Sequence, residues 1–349
     1  MMKYVEINNR RIGKEYPPYI IAELSANHNG DIERAFSIME CAKSAGADAL
    51  KIQSYTPETI TIDCDKSDFV IEDGLWKGRT LFDLYQWAHM PWEWHKPLFD
   101  RARALNLTLF STPFDKTAVD LLEDLNAPAF KIASFEVIDL PLIAYVASTK
   151  KPMIISTGMA DKSEIAEAVE TARSAGCDDL IVLHCVSSYP ALASDYNLKT
   201  VKDLAERYDV IAGLSDHTVS NVTAISSIAF GASVIEKHVT LSRSGGGPDD
   251  SFSIEPEEIK QLCIDTKIAW ESIGKVSYAR SSGEEESARF RRSLYAVKDI
   301  TAGETLTEEN IRSIRPGFGI APKYYDEVIG KKATKAIAYG TALSFDSIG

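Results

Sequence analysis

Eight short apolar runs recur about every thirty residues through roughly the first 240 positions, and nearly all of them end at a cluster of polar residues. Several runs are continuously apolar rather than alternating, which is typical of parallel strands covered on both faces. Helix-length segments separate them, and this rhythm predicts a (β/α)₈ TIM barrel whose carboxyl-end rim carries the active site. The predicted strands are residues 19–24, 49–53, 108–111, 129–132, 153–156, 180–184, 210–214 and 233–237.

Amphipathic segments between these strands predict the barrel helices. Apolar residues recur at helical spacing in residues 32–45, 118–125, 163–175 and 221–230. Three of the segments run into a glycine, which is the residue that most often ends a helix in a left-handed conformation. These glycines are Gly46, Gly176 and Gly231. We therefore expect helix, glycine and next strand to follow one another at the amino-end face of the barrel.

Other segments depart from this rhythm. An insertion at 56–94 and a loop at 242–250 are long and irregular, which is typical of lids and binding loops. A helix at 256–273 would close the barrel, and from Phe290 onward the pattern changes to short strands and turns. The sequence therefore predicts a barrel domain at 1–280, a polar linker at 281–289 and a small β-rich domain at 290–349.

Composition narrows the classes of partner. The net charge of -13 argues against nucleic acid and against an anionic membrane, because both are polyanions. No apolar stretch reaches the roughly 18 residues of a membrane span, and the charged amino-terminal segment does not resemble a secretory signal. The five cysteines are odd in number and never spaced as CxxC, so we expect neither a disulfide framework nor a zinc knuckle, and we expect a cytoplasmic location.

Two histidines stand where the neighbouring strands seven and eight end. His217 lies two residues after Ser215 and His238 two residues after Glu236, so each pair can point to one side of its strand. Two converging imidazoles with a nearby carboxylate favour a divalent-metal site that leaves positions open for substrate oxygen and water. The alternative is a pair of hydrogen-bonded histidines without a metal.

Two lysines, Lys51 and Lys131, end strands two and four, where their ammonium groups would face the barrel mouth. A buried cation needs an anionic partner or a shifted pKa. A bound phosphate or carboxylate would be such a partner, and hydroxyl groups at nearby strand ends would complete its oxygen shell. These hydroxyl groups belong to Thr112, Ser134, Ser156 and Ser215. A Schiff-base lysine, or an internal ion pair with Glu23 or Glu136, is the alternative.

The motifs at these strand ends resemble those of the sialic acid synthase family, which condenses phosphoenolpyruvate with an amino-sugar aldose. They are, in chain order, IAELSANHNG, AGADALKIQSYTP, STPFD, KIASFE, ISTGMA, GLSDHT and IEKHVTL. The tail, with RSLYAVKDITAGETLTEENIRSIRPGFGI, resembles the antifreeze-like (SAF) domain that ends those enzymes. Within the family, segment 65–95 is most similar to the pseudaminic acid synthases, with GLWxxRxLxxLY followed by EWH. Ser187 stands where sialic acid synthases tend to have asparagine.

The resemblance implies a transferase and gives roles to the residues of the rim. Phosphoenolpyruvate would be bound by Lys51, Thr112, Lys131, Ser134, Ser156 and Ser215. The catalytic set would be Glu23, Glu236, His217 and His238. The two histidines would bind a divalent metal, with Mn²⁺ preferred and Mg²⁺ or Co²⁺ as alternatives, and one of the glutamates would handle the attacking water. The sugar would contact Asn27, Gln53, Tyr189, Asp249 and Arg315.

Members of this family pair as domain-swapped homodimers, so the resemblance implies that Arg315 contacts an acetamido group at the barrel mouth of the other protomer. The alternative is a surface role for Arg315 in a small stabilising domain. The implied sugar is 2,4-diacetamido-2,4,6-trideoxy-altrose, which lacks a C6 hydroxyl. Apolar walls suited to it could come from Phe69, Trp76, Phe135 or Phe318.

Other functions remain open at this stage. An N-acetylneuraminate or legionaminate synthase would use the same chemistry on a different sugar. A Schiff-base aldolase and a non-enzymatic carbohydrate-binding protein are more distant alternatives. The aldolase would be trapped by borohydride with pyruvate, and the binding protein would bind sugar without releasing phosphate.

Overall fold

The computed structural model describes residues 3–349 and divides the chain into two compact units. The first unit ends at Gly274 and contains the barrel, and the second is Lys275–Gly349. Within residues 3–349, no helix is both long enough and apolar enough to cross a membrane.

A β-hairpin that the sequence analysis missed precedes the barrel. Strands β1 (Val5–Ile7) and β2 (Arg10–Ile12) pair antiparallel. Asn8 and Asn9 join them with φ values of 49° and 65°, the left-handed backbone that a two-residue hairpin turn requires. The apolar side chains of the hairpin belong to the same buried cluster as the inward-facing residues of the barrel. The hairpin therefore covers the amino-end opening of the barrel, and Asn-Asn between two short apolar patterns was the signal for it.

Eight parallel strands close into a barrel, as the apolar runs predicted. Neighbouring strands pair in chain order, and the last pairs with the first. Every predicted strand end lies within two residues of the observed one. The strands are β3 (Tyr19–Glu23), β4 (Ala49–Ser54), β5 (Thr108–Pro113), β6 (Phe130–Ile132), β7 (Met153–Ser156), β8 (Leu180–Cys185), β9 (Ile211–Asp216) and β10 (Val234–His238).

Helices cover the outside of the barrel and build the insertion after β4. They are α1 (Ile32–Ala45), α2 (Pro57–Ile60), α3 (Leu81–Ala88), α4 (His95–Ala104), α5 (Lys116–Asp124), α6 (Leu140–Ser148), α7 (Lys162–Ser174), α8 (Lys199–Tyr208), α9 (Val222–Ile228) and α10 (Pro256–Ile273). The predicted glycine stops are confirmed by left-handed φ values of 94° at Gly46, 104° at Gly176 and 91° at Gly231. A large apolar cluster fills the layer between strands and helices.

The second unit is a small domain built on short β-bridges. Strands β11 (Ser293–Ala296) and β12 (Ile311–Ile314) pair antiparallel, and isolated bridges such as Ile300 to Ile337 extend the pairing. Its own apolar core is centred on residues such as Leu294, Leu306 and Leu343. Two short helices complete it, α11 (Ser282–Ser287) and α12 (Tyr325–Val328). Helix α11 lies in the segment predicted as a polar linker, because Ser281 and Glu284 form a capping box at its start.

Candidate active site

The barrel interior changes from apolar to polar along each strand. Inward-facing side chains occur at every second residue of a strand. Ile21, Phe110 and Ile154 belong to the apolar cluster of the interior, and two residues further along these strands stand Glu23, Thr112 and Ser156. The same two-residue spacing places Lys51, Lys131, Cys185 and Glu236 after apolar residues of the same interior cluster. Ser215 lies four residues after Ile211, and so faces the same side of its strand. The polar ends of eight strands therefore meet at one rim.

Two lysines and two glutamates form a buried ion-pair cluster at this rim. Lys51 Nζ lies 2.8 Å from Glu23 Oε2 and 3.5 Å from Glu236 Oε1. Lys131 Nζ lies 2.9 Å from Glu236 Oε1. None of the four side chains is more than 5% exposed. The internal pairing that the sequence left open is thus present, and the cluster has no net charge when all four groups are ionised.

The cluster separates the pKa values of its two carboxyl groups. Burial raises the pKa of Glu23, and attraction to Lys51 offsets only part of that effect. Burial also opposes ionisation of Glu236, but Lys131 and Lys51 outweigh it and hold the pKa of Glu236 at about 2. Two carboxyl groups with separated pKa values suit different roles in proton transfer. Glu236 is the permanent anion, and Glu23 is the group able to take up a proton.

The two lysines respond differently to their burial. Burial disfavours the charged form of Lys51, but Glu23 and Glu236 outweigh this and raise its pKa. Burial lowers the pKa of Lys131, because the attraction of Glu236 offsets only part of the desolvation. Lys131 is therefore the lysine with more to gain from a second anionic partner.

Hydrogen-bond donors remain unused beside this cluster. Ser156 Oγ is buried without a hydrogen-bond partner among the described residues. Ser134 Oγ accepts a hydrogen bond of 3.1 Å from the Gly158 N–H, so its own hydroxyl hydrogen remains free to donate. Lys131 bonds to one carboxylate although an ammonium group has three donors. Because Lys131, Ser134 and Ser156 line one cavity, their free donors suit a bound oxyanion.

His217 and His238 face each other at the ends of β9 and β10, with ring centroids 5.4 Å apart. His217 Nδ1 lies 2.8 Å from the carbonyl oxygen of Val186, so Nδ1 donates this hydrogen bond, and when the ring is neutral its lone pair is at Nε2. His238 Nδ1 is buried without a hydrogen-bond partner in the described part of the chain. Burial lowers the pKa of His238 well below its usual value, which keeps its imidazole neutral. An orphaned ring nitrogen beside a second free lone pair fits a pair of metal ligands.

A divalent metal would find only part of its coordination sphere in the protein. Within residues 3–349, no three His, Cys, Asp or Glu side chains converge as a ligand group. His217 and His238 would therefore be two ligands, and water and substrate oxygens would fill the remaining positions. An open sphere of this kind is typical of catalytic rather than structural metal sites.

The rim opens into a cavity of about 330 Å³ with a polar floor and an apolar wall. The floor consists of the strand-end residues, and much of the wall comes from the insertion, through Ile60, Trp76 and Leu84. Trp76 Nε1 donates a hydrogen bond of 3.0 Å to the carbonyl oxygen of Pro248, which ties the insertion to the 242–250 loop. The two irregular segments thus meet at the cavity.

The residues expected around the sugar are placed differently by the structure. Gln53, Tyr189 and Asp249 line the cavity, whereas Asn27 does not. Asn27 is fully buried, and its Nδ2 donates to the Val239 carbonyl oxygen at 2.9 Å and to Ser253 Oγ at 2.8 Å. Its position at the end of a strand resembles that of the rim residues, but its amide nitrogen binds the chain after β10.

Of the other residues expected at the site, some line the cavity and some do not. Of the four candidates for an apolar wall, Trp76 and Phe135 line the cavity, and Phe69 is not among its lining residues. Phe318 and Arg315 belong to the second unit, where both are exposed. Thr112 lies below the floor, where its Oγ1 accepts a hydrogen bond of 3.2 Å from Lys51 Nζ.

Glu136 and Cys185 also lie at the rim, although neither was predicted as a site residue from the sequence. Glu136 lines the cavity from the 3₁₀ turn Ser134–Glu136, and its Oε2 is buried without a hydrogen-bond partner in residues 3–349. Burial raises the pKa of Glu136 to about 7. Cys185 Sγ lies 3.9 Å from His217 Nδ1; burial disfavours its thiolate, but His217 lowers the thiol pKa to about 7. The two-residue step along a strand was the signal for Cys185.

Comparison with known proteins finds relatives over nearly the whole chain. The NeuB family model matches residues 38–278, and the SAF domain model matches residues 291–348. A pseudaminic acid synthase of Campylobacter jejuni is 43% identical over 325 residues, which covers 93% of this chain and 95% of its own. An N,N'-diacetyllegionaminic acid synthase of the same species is 36% identical over 320 residues, which covers 90% and 96%.

A solved structure repeats both parts of the fold. The spore coat polysaccharide biosynthesis protein SpsE of Bacillus subtilis is 32% identical, and its crystal structure superimposes with a TM-score of 0.68 over 99% of both chains. The resemblance read from the motifs is thus confirmed, as is the succession of a TIM barrel and an SAF domain.

Proposed function

The chain belongs to the NeuB family, and on that premise we propose that it acts as a pseudaminic acid synthase. It condenses phosphoenolpyruvate with 2,4-diacetamido-2,4,6-trideoxy-altrose and water, and releases pseudaminic acid and phosphate. The observation that carries this assignment is the 43% identity to a pseudaminic acid synthase over 93% of the chain. Identity to the legionaminic acid synthase of the same species is 36%.

Phosphoenolpyruvate binds at the floor of the cavity. Lys131, Ser134 and Ser156 direct their free donors at its anionic groups, and this is supported by the unpartnered Ser156 Oγ. Lys51 and Ser215 complete the pocket from the neighbouring strands, and Thr112 supports Lys51 from below the floor. An incoming anion gives Lys131, the lysine whose charge is disfavoured by burial, a second anionic partner beside Glu236.

His217 and His238 hold a divalent metal, with Mn²⁺ as the first candidate. This role is supported by the unoccupied Nε2 of His217 and by the Nδ1 of His238, which has no hydrogen-bond partner among the described residues. When bound, the metal supplies Lewis-acid polarisation of the sugar aldehyde oxygen. The two histidines line the same cavity as Lys131, Ser134 and Ser156, so a metal held there would act on a sugar bound beside phosphoenolpyruvate.

The two carboxyl groups of the cluster serve the second half of the reaction. Bond formation joins C3 of phosphoenolpyruvate to the aldehyde carbon and leaves positive charge at C2. Glu236 stays ionised beside that centre and stabilises it electrostatically. Water then adds to C2 and gives up a proton, for which Glu23, with its raised pKa, is the acceptor. The tetrahedral intermediate then breaks the bond between C2 and the phosphate oxygen, and its C2 hydroxyl becomes the keto group as the proton leaves with phosphate. The proton held by Glu23 passes to the alkoxide formed from the aldehyde.

The sugar extends from the histidines toward the apolar wall. Gln53, Tyr189 and Asp249 contact its polar groups, and Trp76 and Phe135 lie against its deoxygenated end and acetamido methyl groups. An apolar wall leaves a C6 hydroxyl without a hydrogen-bond partner, so it favours the 6-deoxy sugar. The wall does not by itself distinguish two 6-deoxy diacetamido sugars.

We extend the proposal to assembly and location. Arg315 is exposed beside the exposed Phe318, which suits a contact with the barrel mouth of the other protomer in a domain-swapped homodimer. Light scattering should report a dimer, and Arg315→Ala should raise the KM for the sugar; a monomer with full activity would refute this assembly. All five cysteines are free, which supports a reducing, cytoplasmic location.

Phosphate release from phosphoenolpyruvate tests the proposal. The enzyme is supplied with Mn²⁺ and, separately, with the diacetamido-trideoxy-altrose, N-acetylmannosamine or the legionaminate precursor. We expect release with the altrose alone and its loss with EDTA. Preference for another sugar would make the chain a different synthase of the family, and no release with any sugar would reject a synthase.

A further inference from the structure

The outward-facing residues between the site residues of β9 and β10 form a second buried ion pair. Ser215 and Glu236 face the interior, and the next residues on the two strands, Asp216 and Lys237, face away from it and stand opposite each other in the register. Lys237 Nζ lies 2.7 Å from Asp216 Oδ2, with the side chains 2% and 0% exposed. This pair joins the two strands one residue before each histidine.

Lys237 also holds the turn that follows His217. Its ammonium group donates to the carbonyl oxygen of Thr218 and, at 3.1 Å, to that of Ser220. Asp216 Oδ1 in turn accepts a hydrogen bond of 2.9 Å from the Thr218 N–H. The residues before and after His217 are therefore tied to one side chain, which itself precedes His238.

A further hydrogen bond holds the backbone of His217. The hydroxyl oxygen of the fully buried Tyr196 accepts a hydrogen bond of 2.6 Å from the His217 N–H. The same hydroxyl group donates to the Ser215 carbonyl oxygen at 3.2 Å. The backbone of His217 is thus held by Tyr196 as well as by the turn that Lys237 binds, and Nε2 of its imidazole takes part in none of these hydrogen bonds.

A buried ion pair is weak evidence for a gain in stability, because apolar residues of the same volume often stabilise as much or more. What an ion pair provides is fixed geometry at a chosen place. We infer that Asp216 and Lys237 are positioning residues, which set the separation of His217 and His238 and thereby the affinity for the divalent metal. This inference rests on the metal role in the proposed function and extends it to residues that touch neither metal nor substrate.

The test is Mn²⁺ binding to the full-length Lys237→Met variant, followed by the loss of the electron paramagnetic resonance signal of free Mn²⁺. Residues that orient metal ligands typically contribute about 10-fold or more to affinity, and we expect at least about 10-fold weaker binding. Phosphoenolpyruvate binding without metal, measured by tryptophan fluorescence, should be unchanged. Lys151→Met is the matched control, since Lys151 pairs with Glu123 before β7, at the other end of the barrel.

The outcomes separate this inference from the proposed function. If wild-type protein and the Lys237→Met variant bind Mn²⁺ equally well, the positioning role is refuted while the synthase assignment stands. If the wild-type protein binds no Mn²⁺, the positioning role and the assignment of Mn²⁺ to the two histidines are both refuted. Should Lys237→Met fail to fold, Asp216→Asn removes one charge and keeps the carbonyl contacts of Lys237; unaltered Mn²⁺ affinity in that variant would overturn the inference.

Discussion

Replacing Lys131 by methionine tests the ion-pair cluster and the anion site together. A pKa of about 2 for Glu236, against its ordinary 4.5, corresponds to about 3 kcal/mol of favourable interaction with its neighbours. Lys131, at 2.9 Å, supplies more of this than Lys51, at 3.5 Å. We therefore expect Lys131→Met to lower the free energy of unfolding by about 2 kcal/mol at pH 7.

The loss of unfolding free energy in Lys131→Met should depend on pH in the direction that the pKa of Glu236 sets. Because the pKa of Glu236 is lower in the folded protein than in the unfolded chain, the stabilisation is present above pH 4.5 and declines as the pH falls toward 2. The difference between wild type and variant should therefore be constant from pH 6 to 8. Urea unfolding measures it, with Lys151→Met as the control for loss of a lysine elsewhere.

Phosphoenolpyruvate binding should respond differently to the loss of Lys131 and to the loss of Glu236. Loss of charge-assisted hydrogen bonds of about 1.5–3 kcal/mol should weaken phosphoenolpyruvate binding to Lys131→Met by about 10- to 100-fold. Glu236→Gln removes a competing carboxylate, so it should bind phosphoenolpyruvate no more weakly than wild type while losing turnover. Equal affinity of Lys131→Met and wild type for phosphoenolpyruvate would exclude Lys131 from the anion site. Additive stability losses in the Lys131→Met/Glu236→Gln double variant would show that the two side chains do not interact.

Three further predictions follow from single contacts. Ser156→Ala should raise the dissociation constant for phosphoenolpyruvate about fivefold with little change in stability, because Ser156 Oγ has no partner to lose in residues 3–349; an unchanged constant in a fluorescence titration would remove Ser156 from the anion site. Trp76→Ala should reduce the preference for the 6-deoxy sugar over its 6-hydroxy analogue about 10-fold in kcat/KM, and an unaltered ratio would reject the apolar wall. The pKa of Glu136 is raised to about 7, so its neutral form stabilises the fold below pH 4.5 and this advantage is lost as the pH rises to 7. Glu136→Gln should therefore be more stable than wild type by about 3 kcal/mol at pH 8 and equal to it near pH 4.5, and a constant difference in urea unfolding at the two pH values would contradict the burial argument.

The barrel could be predicted because each of its strands is an apolar run bounded by strong signals. The glycine stops at 46, 176 and 231 need a left-handed backbone, which few other residues adopt, so helix ends were readable to within two residues. The β1–β2 hairpin has three residues per strand and a polar turn, and a pattern that short is masked by its charged neighbours.

The rim residues could be predicted in kind but not in their pairing. Lys131 and Glu236 are 105 residues apart in sequence, and only barrel closure shows that their side chains meet. Asn27 shows a further limit of strand-end position as a signal, since a polar residue after a strand can turn away from the cavity and bond to a neighbouring loop. The outward position of Asp216 and Lys237 follows from strand alternation, but their contacts with the turn after His217 depend on the three-dimensional path of the chain.

Competition between sugars for limiting phosphoenolpyruvate is the most direct test of which nonulosonic acid the enzyme makes. The diacetamido-trideoxy-altrose, the legionaminate precursor and N-acetylmannosamine are offered together at equal concentration with Mn²⁺, and the nonulosonic acid formed is identified by NMR. We expect pseudaminic acid as the dominant product, formed in a one-to-one ratio with phosphate. Legionaminic acid or N-acetylneuraminic acid as the main product, or phosphate without any nonulosonic acid, would contradict it.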